Sequence, residues 1–145
     1  MTEPNAFQTR KLVLKLCQYL SDRHFDQLPS LFTESSTWTV LVNRRKTGYG
    51  GTHPALEHVA GYPTILGPFD TFTFDAVDVV VEGRKAVVDV IISGSGPGTT
   101  KYENEYLMWV VVDEKAEKIE SVKQSLDPYE VEAWIESKKH NSEVS

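Results

Sequence analysis

The chain has 145 residues, 40% of them hydrophobic and 25% charged, and a formal net charge of −6. That length fits one domain with a substantial core. The acidic balance argues against nucleic acid and against an anionic membrane surface as partners. In chain order, residues 5–21 read as a helix, because Leu12, Val13, Leu16, Cys17 and Leu20 recur at helical spacing opposite Lys11, Lys15, Gln18 and Asp22. Phe25, Leu28, Leu31 and Phe32 predict a short second helix over 24–33. STWTVLV, 36–42, is β-branched and puts Trp38, Val40 and Val42 on one face of a strand. NRRKTGYGGTH, 43–53, reads as a loop, and Pro54 suits the first turn of a helix reaching about Tyr62. PTILGPF has proline near both ends and reads as irregular.

From Asp70 the pattern changes. TFTFDAVDVVVEG and KAVVDVIISGSG flank Gly83-Arg84 and predict a hairpin. GSGPGTT is a connection. KYENEYLMWVVVDE, 101–114, is a third long strand, and KIESVKQSLD a fourth after a turn near DEKAEK. Asp127-Pro128-Tyr129-Glu130 carries the marks of a helix start: an acidic cap, proline first, glutamate third. Val131, Trp134 and Ile135 give that helix an apolar stripe, and 139–145 is expected to fray. Helices, then one strand, a helix, four strands and a last helix make the class α+β, with helices on one face of an antiparallel sheet. We read one domain over 1–145 with an ordered core over about 5–138. A single cysteine, Cys17, gives no disulfide framework. The start lacks an apolar signal core and no run is long enough to span a bilayer, so a cytoplasmic protein is expected.

The third strand poses the main question. Its two faces separate Tyr102, Asn104, Tyr106, Met108, Val110 and Val112 from Glu103, Glu105, Leu107, Trp109 and Val111. The first face is uncharged, yet it holds two phenols and an amide. A buried polar group without a partner costs about 1–3 kcal/mol, so a ligand or an internal network must satisfy this row. A neutral phenol can polarise a carbonyl or act as a general acid in a dry site. Trp38 and Tyr62 are candidate walls for a flat ligand, or simple core.

Other polar groups have two readings each. If Gly83-Arg84 is the turn, Asp78 faces Asp89, either as a solvated outer pair or as carboxyls sharing a proton in a pocket. Gln124 is inward or on the surface, depending on a bulge in its irregular strand. Asp127 is an N-cap or a catalytic acid. His53, beside GYGG, is the better candidate proton donor, and His58 reads as a solvent-facing helix residue. Arg44, Arg45 and Lys46 form either an anion clamp or a solvated loop. No metal-ligand spacing and no phosphate-cradling glycine loop is present.

FDQLPSLFTESSTW, 25–38, and YENEYLMWVVVDEKAEKIESVKQSLD, 102–127, resemble the SnoaL-like branch of the nuclear-transport-factor-two-like superfamily. The resemblance covers most of the chain. It implies a strongly curved antiparallel sheet forming a cone (a cystatin-like α+β barrel), with helices packed on the concave side around a deep pocket. It implies a cofactor-independent isomerase or cyclase acting on an apolar polycyclic or polyketide-like small molecule in secondary metabolism, and a homodimer. The alternatives are a non-catalytic binding or dimerisation module, and a dehydratase or hydrolase using Asp89 or His53. The steroid-isomerase pattern is absent: Val40 and Leu16 stand where its base and phenol would be. Gln124 stands where related rearrangement enzymes carry a carboxylate. The implied chemistry falls to Tyr102, Tyr106, Gln124, Asp89 and His53, with Trp38, Val40, Tyr62, Asn104 and Met108 holding the substrate.

Overall fold

Asn5 starts the first helix, α1 (Ala6–Ser21), through a reciprocal cap: its Oδ1 accepts from the Gln8 N–H, and Gln8 Oε1 accepts from the Asn5 N–H. These contacts satisfy amide groups that a helix start leaves unpaired. The computed structural model describes residues 5–42, 49–96 and 101–144, with side chains as far as 138. The apolar stripe of α1 is buried as expected, and burial pushes the Cys17 thiol up to about 12, which makes it inert at neutral pH. The predicted helix over 24–33 is instead one 3-10 turn, Leu28–Leu31. Its apolar residues are too few for a helical stripe, and Phe32 already belongs to a strand.

The strands are β1 (Phe32–Val40), β2 (Gly51–Pro54), β3 (Thr71–Glu82), β4 (Lys85–Ser95), β5 (Tyr102–Val112) and β6 (Ile119–Ser125). They form one sheet in the order β2-β1-β6-β5-β4-β3. The β1–β6 pair is parallel and the other pairs are antiparallel, so the sheet is mixed. It is curved and open, not closed into a barrel. The helices α2 (Ala55–Ala60), α3 (Tyr62–Leu66) and α4 (Pro128–Val144) complete the fold. PTILGPF, expected to be irregular, contains most of α3. GTHP, expected to be loop, forms β2, which moves His53 onto a strand.

Two bulges explain the irregular sequence patterns. In β3 the register shifts between Ala76 and Asp78, so inward positions change from Phe72 and Phe74 to Val79 and Val81. In β6 the shift lies opposite Val111 and Val112 and skips Glu120, so Ile119, Val122 and Gln124 all face inward. Gly83 turns the β3–β4 hairpin at φ 58°, a conformation glycine takes without a Cβ clash. The concave face is floored by Val88, Val90, Ile92, Met108, Val110 and Val122, and α1 packs over β3 and β4. Gly94 matters at one end. A Cβ there would lie 2.9 Å from the Phe69 ring, so glycine admits that ring onto the sheet.

Candidate functional site

Tyr102, Asn104 and Tyr106 share the concave side of β5. In a flat strand, positions four apart are separated by about 13 Å. Here the two hydroxyls meet at 3.0 Å, because curvature tips same-face side chains toward each other. Asn104 explains much of the polar row. Its Oδ1 accepts from the backbone N–H of Asp127 and of Glu105, both at 2.9 Å. Backbone amides can only donate, and this fixes the orientation of the side-chain amide. Its Nδ2 then donates to the Asp127 carbonyl at 3.1 Å and to Tyr102 Oη at 2.9 Å. The expected substrate-orienting role of Asn104 is thereby corrected: its hydrogen-bonding capacity is spent on a clamp. The clamp holds the start of α4, where Asp127 Oδ1 accepts from the Tyr129 N–H at 2.9 Å. Asp127 is an N-cap.

The phenol pair has a simple proton count. Two hydroxyl protons are present and one lies in the Tyr102–Tyr106 bond. Asn104 supplies a further donor to Tyr102. Whichever way the pair is polarised, one O–H has no acceptor among the described residues. Burial raises the Tyr102 hydroxyl above its ordinary value of 10.0, against the opposing hydrogen bonds from Tyr106 and Asn104. Burial, then the Tyr102 charge, pushes Tyr106 well above it. Both are neutral donors at physiological pH.

Around the pair lies an aromatic wall. The Phe69 ring stacks on Trp134 at 5.2 Å and on Tyr102 at 6.4 Å, and Phe74 meets Tyr106 edge-on at 6.1 Å. Tyr49 belongs to the same neighbourhood: the Tyr102 charge acts on Tyr49, and the charges of Tyr62 and Tyr49 both act on Tyr106. Tyr49 Oη and Trp134 Nε1 are buried without a hydrogen-bond partner among the described residues. Sequence reasoning gave Trp134 only an apolar stripe and passed over Tyr49, Phe69 and Phe74. Gly94 beside Tyr102 was the one signal that a ring needed room there.

A second cluster lies toward β1. Trp38 is fully buried, and its Nε1 donates to Gln124 Oε1 at 2.9 Å. Gln124 is therefore inward, with Val40 and Met108 as its strand neighbours on the same face. Met108 is wholly enclosed in the core. The expectation that His58 faces solvent is wrong. Its ring stacks on Trp38 at 4.4 Å, and its Nε2 meets Tyr62 Oη at 2.9 Å. The helix α2 is too short for periodicity to reveal its buried side. His53 pairs with Trp38 across the strands, hence on the same face. Burial, then the His53 charge, lowers His58 from 6.5 to about 4. The folded form thus binds the His58 proton less readily than the unfolded chain does. Stability is fully present above pH 6.5 and falls as pH drops toward 4, by up to about 3 kcal/mol at about 1.4 kcal/mol per unit. Urea midpoints for wild type and His58→Gln between pH 4 and 7 check this; parallel profiles for the two proteins would contradict it.

Asp89 does not join the site. The hairpin sets it opposite Asp78 as expected, but on the convex face. The buried even positions of β4 decide this, and Glu105 is its carboxyl neighbour there. The hydrogen bond with Asp89, then the Asp89 charge and burial, raise Glu105 above the usual carboxylate range. Arg44, Arg45 and Lys46 lie outside the described residues.

A scan of protein-family models and a sequence search of curated proteins give no match. Solved structures do match. PrhC from Penicillium brasilianum NBRC 6234 superposes with a TM-score of 0.83 at 15% identity, over 94% of this chain and 91% of that one. BvnE pinacolase from Penicillium brevicompactum gives 0.81 at 17%, over 95% and 99%. TerC, co-crystallised with polyporic acid, gives 0.70 at 16%, over 89% and 98%. This chain has the α+β fold of these proteins, a fold shared by structures described as SnoaL-like and NTF2-like.

Proposed function

We propose that the chain is a cofactor-independent isomerase or cyclase that rearranges or cyclises a mostly apolar, polycyclic or polyketide-like small molecule. The observation that carries this reading is the uncommitted phenol proton of the Tyr102–Tyr106 pair, held in an aromatic, water-poor setting. There a neutral donor can polarise a ligand oxygen far better than in water. Asn104 supports Tyr102, and Trp38, Gln124, Val40, Tyr62 and Met108 form the packed core behind the pair. His53 and His58 remain the imidazoles of this face. The likeness to BvnE pinacolase and to TerC, which was crystallised with polyporic acid, supports a small-molecule role in general terms. The test is incubation with candidate ketones and lactones, without cofactor, followed by chromatography and mass spectrometry. A new product of unchanged mass supports the reading; a product changed by the mass of water supports a dehydratase or hydrolase instead.

The convex face suits a second copy of the chain. Leu107 and Trp109 are 52% and 56% exposed at its centre, beside exposed Val80 and Ile91. One end of this face is acidic, with Asp78, Asp89 and Glu105, while Lys123 and the Lys85–Glu82 pair lie toward the other. Sedimentation at tens of micromolar should give a dimer that Trp109→Glu dissociates. A wild-type monomer would remove this part of the proposal.

A further inference from the structure

The polar atoms left over beside the Tyr102–Tyr106 pair are alike in kind. Trp134 Nε1–H can only donate. Among the described residues Tyr49 Oη is buried without a partner, and the phenol pair keeps one uncommitted O–H. They belong to one neighbourhood, with the Trp134 and Tyr102 rings 5.7 Å apart and Tyr49 within electrostatic reach of Tyr102 and Tyr106. Among the described residues, Asn104 Oδ1 is spent on two backbone amides, and Gln124 Oε1 is engaged by Trp38. Buried donors without acceptors are costly, and few native proteins retain them without a use.

The charges around this corner narrow the ligand further. Glu132 acts on Tyr49, and Glu130 and Asp127 act on Tyr102, each disfavouring negative charge. Lys138 lies 4.4 Å from the centre of the Trp134 ring and offsets part of this. Among the described residues these carboxylates disfavour a permanent anion. A neutral oxygen would receive several hydrogen bonds without that repulsion.

We propose that Tyr49 Oη, Trp134 Nε1 and the spare hydroxyl of the Tyr102–Tyr106 pair form a donor subsite for a neutral carbonyl oxygen, as in a ketone, lactone or quinone, and that it discriminates against carboxylates. The proposal rests on the concave face being the ligand site. It adds Tyr49 and Trp134 as binding residues and assigns the ligand atom that they meet.

Three naphthalenes of similar shape test it: 2-acetylnaphthalene, 2-ethylnaphthalene and 2-naphthoate. Their affinities are read by fluorescence or calorimetry on wild type, Tyr49→Phe and Trp134→Phe. The ketone should bind about tenfold tighter than the hydrocarbon, in line with one or two net hydrogen bonds, and tighter than the carboxylate. Tyr49→Phe should erode the ketone's advantage while leaving 2-ethylnaphthalene unchanged, and Trp134→Phe, which also trims the aromatic wall, should weaken the ketone more than the hydrocarbon. The infrared carbonyl stretch of the bound ketone should move to lower frequency, and return part-way in Tyr49→Phe. Equal affinities for all three would overturn the donor subsite and leave the apolar ligand site standing. Tightest binding of 2-naphthoate would overturn the preference for a neutral oxygen. Binding of none would overturn both the subsite and the reading it rests on.

Discussion

Replacing Trp38 with alanine should destabilise the fold by about 3–5 kcal/mol, the range for removing a large buried aromatic. The indole is fully buried, stacks on His58 at 4.4 Å, lies edge-on to Tyr62 at 6.0 Å and contacts Phe32 at 6.1 Å. Its removal empties the junction where β1 and β6 run parallel and where α2 leans on the sheet. It also strands Gln124 Oε1, whose donor it is. Trp38→Phe separates these effects. It keeps most of the ring contact but not the N–H, and should cost about 1–2 kcal/mol through the unsatisfied amide oxygen. Urea unfolding of the two variants gives both numbers. Equal losses would mean that packing around the six-membered ring contributes little.

Asn104→Leu is the second large effect, at about 3 kcal/mol, and it should be localised. The replacement has similar size but no polar atoms. It leaves the Asp127 N–H, the Asp127 carbonyl and Tyr102 Oη without their partner in a buried setting, each costing about 1 kcal/mol or more. These groups tie β5 to the start of α4. Hydrogen exchange should therefore speed up first over α4, with β3 and β4 protected as before. A uniform rise across the sheet would show that Asn104 stabilises the sheet itself and not the helix anchor.

Much of this fold was legible in the sequence. Alternation in β5 sorted Tyr102, Asn104 and Tyr106 from Glu103 and Glu105, and the structure keeps that sorting. The Gly83-Arg84 turn set Asp78 against Asp89, and the Asp127-Pro128 signal marked the start of α4. Such features are local, since each depends on side-chain period or turn chemistry within a few residues. The misses depended on distant contacts or short elements. β2 has four residues, including a glycine and a proline, which read as loop by composition. Which way His58 points follows from Trp38, twenty positions earlier in the chain. That Asn104 serves Asp127 rather than a ligand needed the β5–β6 pairing to bring the two together. The outward face of Asp89, one of its two readings, follows from the regular alternation of β4, with Ala86, Val88, Val90 and Ile92 turned inward.

If a ligand oxygen takes the spare proton of the phenol pair, ligand binding should depend on the two hydroxyls, which Tyr106→Phe and Tyr102→Phe/Tyr106→Phe remove singly and together. Removing one hydroxyl leaves Tyr102 with its Asn104 donor but without its partner. Thermal shifts should be measured for wild type and both variants with the ketone or lactone that best stabilises the wild type. A ligand at about 100 times its dissociation constant stabilises by about 2.7 kcal/mol. A clear shift in wild type should fall by about half or more in Tyr106→Phe, with the unliganded proteins similar in stability. Because Tyr106→Phe frees the Tyr102 O–H, Tyr102→Phe/Tyr106→Phe is the control that removes both protons, and an equal shift in wild type and in both variants would place the ligand away from the phenol pair.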